Sequence, residues 1–156
     1  MIIRKGEKKD MARVLELIKE LAEFEKEPDA VEVTVADLER DGFGTHPLFE
    51  TFVAEINGTI EGIALYYNRY STWKGKTIHL EDLIVTQKMR GSGIGQALYA
   101  RVMQQAKQDN VKRVEWVVLD WNKPAVAFYQ KSGATVFNDW RIVQMNEEQL
   151  LAYECR

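Results

Sequence analysis

Residues 76–98 read KTIHLEDLIVTQKMRGSGIGQAL, and the fold turns on how they are read. The first ten, KTIHLEDLIV, are strand-like. An arginine and three glycines follow at alternate positions, after which Ile94, Ala97, Leu98, Val102 and Ala106 recur at helical spacing to about Asp109. Strand, glycine-rich turn and helix N-terminus together form a ready anion site, because the unpaired amides of the first turn and the helix dipole point at the ligand. Glycine lets those amides approach with no side chain between.

Two phosphate loops are set aside on spacing. A Walker loop ends in Gly-Lys-Ser/Thr, whereas Gly95 is followed by Gln96 and Ala97. A dinucleotide fingerprint needs GxGxxG early in a βαβ unit, but Gly91, Gly93 and Gly95 run GxGxG past the middle of the chain. Taken alone, the stretch also fits a tight strand-to-helix turn that holds no ligand.

Outward from this stretch, strands and helices alternate with no repeat, linker or low-complexity tract. Residues 2–4 read as a short strand. Met11, Val14, Leu15, Ile18, Leu21 and Ala22 mark an amphipathic helix. A second, short helix is expected after Thr34, an N-cap with Asp37 three residues on, and stops at Gly42. FETFVAEI (49–56) and TIEGIALYYNRYS (59–71) flank Asn57-Gly58, a strong hairpin signal, so this pair is antiparallel. After the glycine loop and its helix, VKRVEWVVLDW (111–121) reads as a further strand and NKPAVAFYQKSGA (122–134) as a helix. A last strand over 141–145 and a C-terminal helix capped near Asn146 complete the order. This order predicts an α/β (α+β) fold: a mixed, mostly antiparallel sheet with helices on both faces.

Composition bounds the function. The 156 residues make one domain's worth, 1–156, and a net charge of −3 with interspersed signs argues against a nucleic-acid surface. No apolar run of membrane-spanning length occurs and MIIRKGEKK lacks the apolar core of a leader, so a cytoplasmic protein without a membrane partner is expected. A single cysteine, Cys155, and only two histidines, His46 and His79, leave no basis for a disulfide framework or a structural metal site.

Written from Arg90, the loop is RxxGxG, and it resembles the pyrophosphate loop of the GNAT family of acetyl-CoA-dependent N-acetyltransferases. LAEFEK (21–26), DGFG (41–44), YSTWKG (70–75), LED (80–82), RGSGIG (90–95), LDWN (119–122) and FY (128–129) are similar, in sequence and order, to its diamine acetyltransferase subfamily, and within that to the thialysine branch. The resemblance implies the GNAT fold, acetyl-CoA as cofactor, a small-molecule amine as substrate and a homodimer whose partner chain can complete the pocket.

It also implies roles. Acetyl transfer needs a neutral amine, a polarised thioester carbonyl and a proton for the departing thiolate. An alkylamine with a pKa of roughly 10 arrives protonated. Glu81 is expected to face it as proton acceptor, directly or through water, with Asp82 as its partner. Successive strand side chains point to opposite faces, so the two can share a role only if a bulge intervenes. The backbone of Leu83, Ile84 and Val85 is expected to pair with the pantetheine arm. The pyrophosphate would rest on Gly91, Ser92, Gly93, Ile94, Gly95 and Gln96 beside Arg90, and Asn122, with Lys123, Pro124 and Ala125 behind it, would contact the same arm. Tyr129 is the expected general acid. Phe24, Glu25, Trp73, Glu81, Asp82, Glu115 and Trp116 would line the amine pocket. Two departures stand out: Ser71 occupies the position where polyamine-specific members carry an acid, and NDW (138–140) is a shortened match to an acidic segment. Two rival readings remain: a protein or peptide acetyltransferase of the same fold, and a non-catalytic acyl-CoA-binding module.

Overall fold

The computed structural model describes residues 1–154; Cys155 lies outside the described residues. The chain forms two compact units, Met1–Val117 and the residues from Val118 onward.

The first unit holds β1 (Ile2–Lys5), α1 (Met11–Phe24), α2 (Val35–Phe43), β2 (Glu50–Ile56), β3 (Thr59–Ser71), β4 (Gly75–Val85), α3 (Ile94–Gln108) and β5 (Val114–Glu115). The strands lie in the order β1-β2-β3-β4-β5, antiparallel except for the parallel pair β4-β5, which is the mixed sheet expected from the sequence. Local signals hold well here. Thr34 and Asp37 form a reciprocal capping box that starts α2, with the Thr34 hydroxyl accepting from the Asp37 amide and the Thr34 amide donating to the Asp37 carboxylate. Asn57 and Gly58 both take positive φ in the turn between β2 and β3.

Each face of the sheet has its own core. Phe52, Ala54, Ala64, Tyr66, Ile78 and Leu80 pack against Ile94, Leu98, Val102 and Ala106 of α3. Val53, Ile60, Ile63 and Ile84 pack on the opposite face against Met11, Val14, Leu15 and Leu17 of α1 and Leu38 of α2. Close approach of α3 depends on Gly62, where a Cβ would stand 2.9 Å from the Ile84 carbonyl oxygen and 3.1 Å from the Ile94 and Leu98 side chains.

Two expected strands are corrected. The strand over 111–121 shrinks to Val114–Glu115, paired with β4 only at Ile78 and His79. The pairing stops just short of Glu81, where β4 bulges, and a bulge bends the strand away from its neighbour, so residues beyond Glu115 lose a straight ladder to join. The strand expected over 141–145 is absent among the described residues: every residue there is exposed, Val143 to 92%, so no sheet face is present to reward alternation.

The second unit holds α4 (Lys123–Lys131) and α5 (Glu147–Leu151). Asn122 caps α4 by accepting from the Ala125 amide at 3.3 Å, Pro124 sits in the first turn, and Gly133 takes φ 94° past the end. Asn146 and Gln149 form the capping box of α5. Among the described residues no helix is long and apolar enough to cross a membrane.

Candidate active site

Strand geometry alone would send Glu81 and Asp82 to opposite faces. The register between β3 and β4 shows why it does not: Leu65 pairs with Asp82 and Tyr66 with Leu80, leaving Glu81 as an extra residue. Packing confirms the slip in phase. Ile78 and Leu80 belong to the α3-side core, Leu83 and Val85 pack against that same core, and Ile84 belongs to the α1/α2 side. Glu81 and Asp82 therefore fall together on the α1/α2 face.

Neighbours then make the two carboxylates unequal. The Tyr67 ring lies 5.2 Å from the His79 ring, on the face that carries Glu81. His79 Nε2 stands 3.5 Å from Glu81 Oε2. Desolvation, and then the Glu81 charge beside it, push the Tyr67 phenol up. Asp82 has no such support. Burial pushes its carboxyl up to about 7, and the negative charges of Glu81 and Glu25 add to the effect. Glu25, just past the end of α1, is itself raised by desolvation.

A stability consequence follows. A carboxyl raised above its unfolded value of 3.8 contributes stability that is present below that value and lost as pH rises through about 7. Asp82→Asn removes the buried charge. The variant is expected to gain about 2 kcal/mol relative to the unaltered protein between about pH 5 and about pH 8. For a chain of this size that is a Tm difference of roughly 5 °C, readable by calorimetry at the two pH values. An equal gain at both would show that Asp82 is not held protonated.

The other expected pocket residues separate. Phe24 ends α1 with its ring 4.8 Å beneath the Arg90 guanidinium, and Glu20, one turn earlier, accepts from the Gln87 amide at 2.7 Å. The end of α1 thus borders both the glycine loop and the carboxylates. Glu115 shares the α1/α2 face with His79, but Arg69 at 2.7 Å and Arg113 at 2.8 Å neutralise it. Trp116 packs against the α3-side core, edge-on to Tyr99 at 5.7 Å, on the other face of the sheet. Trp73 is 80% exposed in the turn between β3 and β4. The ladder from Ser71 back to Leu65 puts it roughly 20 Å from the bulge at ~3.3 Å per residue. Sequence reasoning missed Tyr67, His79 and Glu20. The tandem tyrosines of LYYNRY were a signal for Tyr67, since on a strand with one tyrosine in each face the second must find its own partner.

The glycine loop suits a pyrophosphate. Gly93 caps α3 in the left-handed region at φ 86° with no side chain closing the helix end, and the first helical bond runs from the Ala97 amide to the Gly93 carbonyl. The amides of Ile94, Gly95 and Gln96 are thus left without helical partners. A Cβ at Gly91 or Gly93 would meet nothing within 4 Å, so the space above those amides is open to a ligand and would be narrowed by a side chain. Gly95 instead faces the strand, where an added Cβ would stand 3.6 Å from Val85 Cγ2. Ser92 Oγ donates to the Met89 carbonyl, and Arg90 is exposed beside the loop, its Nε donating to the Val85 carbonyl at 3.2 Å. Leu83, Ile84 and Val85 commit their side chains to the two cores. No strand pairs with the β5-side edge of β4 beyond His79 among the described residues, which suits an extended ligand arm pairing with the backbone there.

Within the second unit, Tyr129 is the buried side chain of α4, edge-on to Phe128 at 5.3 Å. Lys123 Nζ donates to the Asp120 carbonyl at 2.7 Å, closing the turn before the helix. Trp140 is exposed, as is Asp139.

Residues 11–134 match the acetyltransferase (GNAT) family. Thialysine N-epsilon-acetyltransferase of Bos taurus is 39% identical over 142 residues, 86% of this chain and 84% of that protein. The spermidine/spermine N(1)-acetyltransferase-like protein 1 of Homo sapiens is 39% identical over 159 residues, 96% of this chain, which spans 23% of that longer protein. Among solved structures, an integron cassette protein from the mobile metagenome of V. cholerae has a TM-score of 0.78 at 22% identity, covering 96% of this chain and 94% of that one, a likeness of fold.

Proposed function

The chain belongs to the GNAT family and is an acetyl-CoA-dependent N-acetyltransferase, and from that premise we propose that it acetylates the primary amine of a small cationic molecule: thialysine, a lysine analogue or a diamine. The observation that carries this reading is the bulge that turns Glu81 and Asp82 onto one face beside Glu25. Three carboxylates with little opposing charge suit an ammonium group and can take up the proton it must lose before attack. The relative named for thialysine supports the amino-acid amine, and Ser71 in place of an acid weighs against polyamines.

Acetyl-CoA supplies the activated thioester. The amides of Ile94, Gly95 and Gln96, with Arg90, would hold its pyrophosphate, and the free edge of Leu83, Ile84 and Val85 would align the arm and polarise the carbonyl; in the second unit, Asn122 would supply the arm contact and Tyr129 the proton for the departing thiolate that the family resemblance implies. The amine attacks directly in a ternary complex, since the chain's single cysteine, at position 155, is distant in sequence from every motif. The whole chain acts as one catalytic domain, in the cytoplasm, as a homodimer. Two observations support the dimer. Phe137, Trp140, Ile142, Val143, Leu151 and Tyr153 are strongly exposed, and Trp73 is too far along its hairpin to line its own chain's carboxylate cluster.

A panel of thialysine, lysine, diamines, spermidine and short peptides, each with acetyl-CoA, tests the reading. The highest kcat/KM is expected for thialysine or another small amine. Preference for peptides over every small amine would mean an open groove acting on proteins. Acetyl-CoA binding without turnover of any amine would mean a non-catalytic binding module.

A further inference from the structure

We propose that Asp82, and not Glu81, takes the proton from the incoming amine, while Glu81 anchors the ammonium group. This rests on the amine-acetylating reading above and assigns the division of labour within it.

The bulge gives both carboxylates access to one face, but their surroundings differ in kind. Glu81 is half exposed and has the His79 imidazole 3.5 Å from one oxygen, with the Tyr67 ring 5.2 Å from that imidazole. The tyrosine and the imidazole hold its side chain in place at the edge of the cluster. Asp82 is set between Leu65, its partner across the ladder, and Ile84, the next residue on its face, both buried apolar side chains. The charged groups bearing on it are Glu81 from β4 and Glu25 from the end of α1, and both are acidic. An arriving ammonium relieves that repulsion, so the cluster binds the cation, and Asp82, the more enclosed member, is the one placed to take its proton. When the environments of two adjacent carboxyls push their affinities for a proton apart, the one left near neutrality serves as the acid-base group and the other as the fixed charge.

The protons balance. Asp82 accepts one of the three ammonium protons, leaving a neutral amine whose lone pair forms the new C–N bond as the C–S bond breaks. The nitrogen sheds a second proton, matched by the one Tyr129 passes to the thiolate, and the third remains on the amide. The net release is the single proton on Asp82, which returns to solvent.

The test is the pH dependence of kcat/KM for thialysine in the full-length protein and in Asp82→Asn, Asp82→Glu and Glu81→Gln, with acetyl-CoA affinity measured in each to show an intact fold. In the unaltered protein kcat/KM is expected to rise with pH through an inflection near neutrality. Asp82→Asn is expected to lower kcat about 100-fold and to abolish that inflection, with rate recovering only toward the amine's own pKa of roughly 10. Asp82→Glu should keep the inflection. Glu81→Gln should keep it too, and raise KM roughly tenfold. The reverse pattern, an inflection lost in Glu81→Gln and kept in Asp82→Asn, overturns the assignment while leaving the amine-acetylating reading intact. If the unaltered protein acetylates no small amine, that reading fails and the assignment with it.

Discussion

Gly93→Val is expected to weaken acetyl-CoA binding about 100-fold, as the combined result of backbone strain and a blocked approach to the loop amides. Gly93 caps α3 at φ 86°, a region that β-branched residues avoid at a cost of roughly 1–2 kcal/mol. The Cβ and its methyls would also occupy the open space over the amides of Ile94, Gly95 and Gln96, where a phosphate must come within hydrogen-bond distance. Titration calorimetry with acetyl-CoA reads the loss, and a melting curve on the same sample separates it from unfolding. An unchanged Kd would reduce the stretch from 90 to 96 to a tight turn.

The second large effect is expected in the other unit. Tyr129→Phe keeps the ring that packs edge-on to Phe128 and removes only the hydroxyl. If that hydroxyl gives the proton to the departing thiolate, kcat should fall about 100-fold, the low end of what general acids contribute, because a thiolate of pKa about 8.5 is already a fair leaving group. The Kd for acetyl-CoA should stay the same. Full kcat in the variant would leave Tyr129 as a packing residue of α4.

What the sequence discloses and what it hides divide along a physical line. Features set within a few residues are legible: the capping boxes at Thr34 and Asn146, the Asn57-Gly58 turn, the full span of β3, and the glycine loop with its helix all follow from side chains acting on their own backbone. The roles of Glu81 and Asp82 hinge instead on a register slip between two strands, which belongs to the pairing of Leu65 and Tyr66 with β4 and to no residue of β4 alone. Strand periodicity taken by itself parts the two acids; the ladder reunites them. The same slip shortens β5, so the long apolar run after Val114 misleads as a strand. Glu115 and Trp116 show the limit for pocket residues. Resemblance puts them together, but at the end of β5 successive side chains turn to opposite faces, sending Glu115 to Arg69 and Arg113 and Trp116, just past the strand, to Tyr99.

On the proposed reading, the paired carboxylates at the β4 bulge, and not the cofactor loop alone, direct acetyl transfer to small amines. Turnover of thialysine at saturating acetyl-CoA by the double variant Glu81→Gln, Asp82→Asn tests it most directly. The predicted result is a loss of kcat of about 1,000-fold with acetyl-CoA affinity unchanged. Near-normal turnover by that variant would contradict the claim.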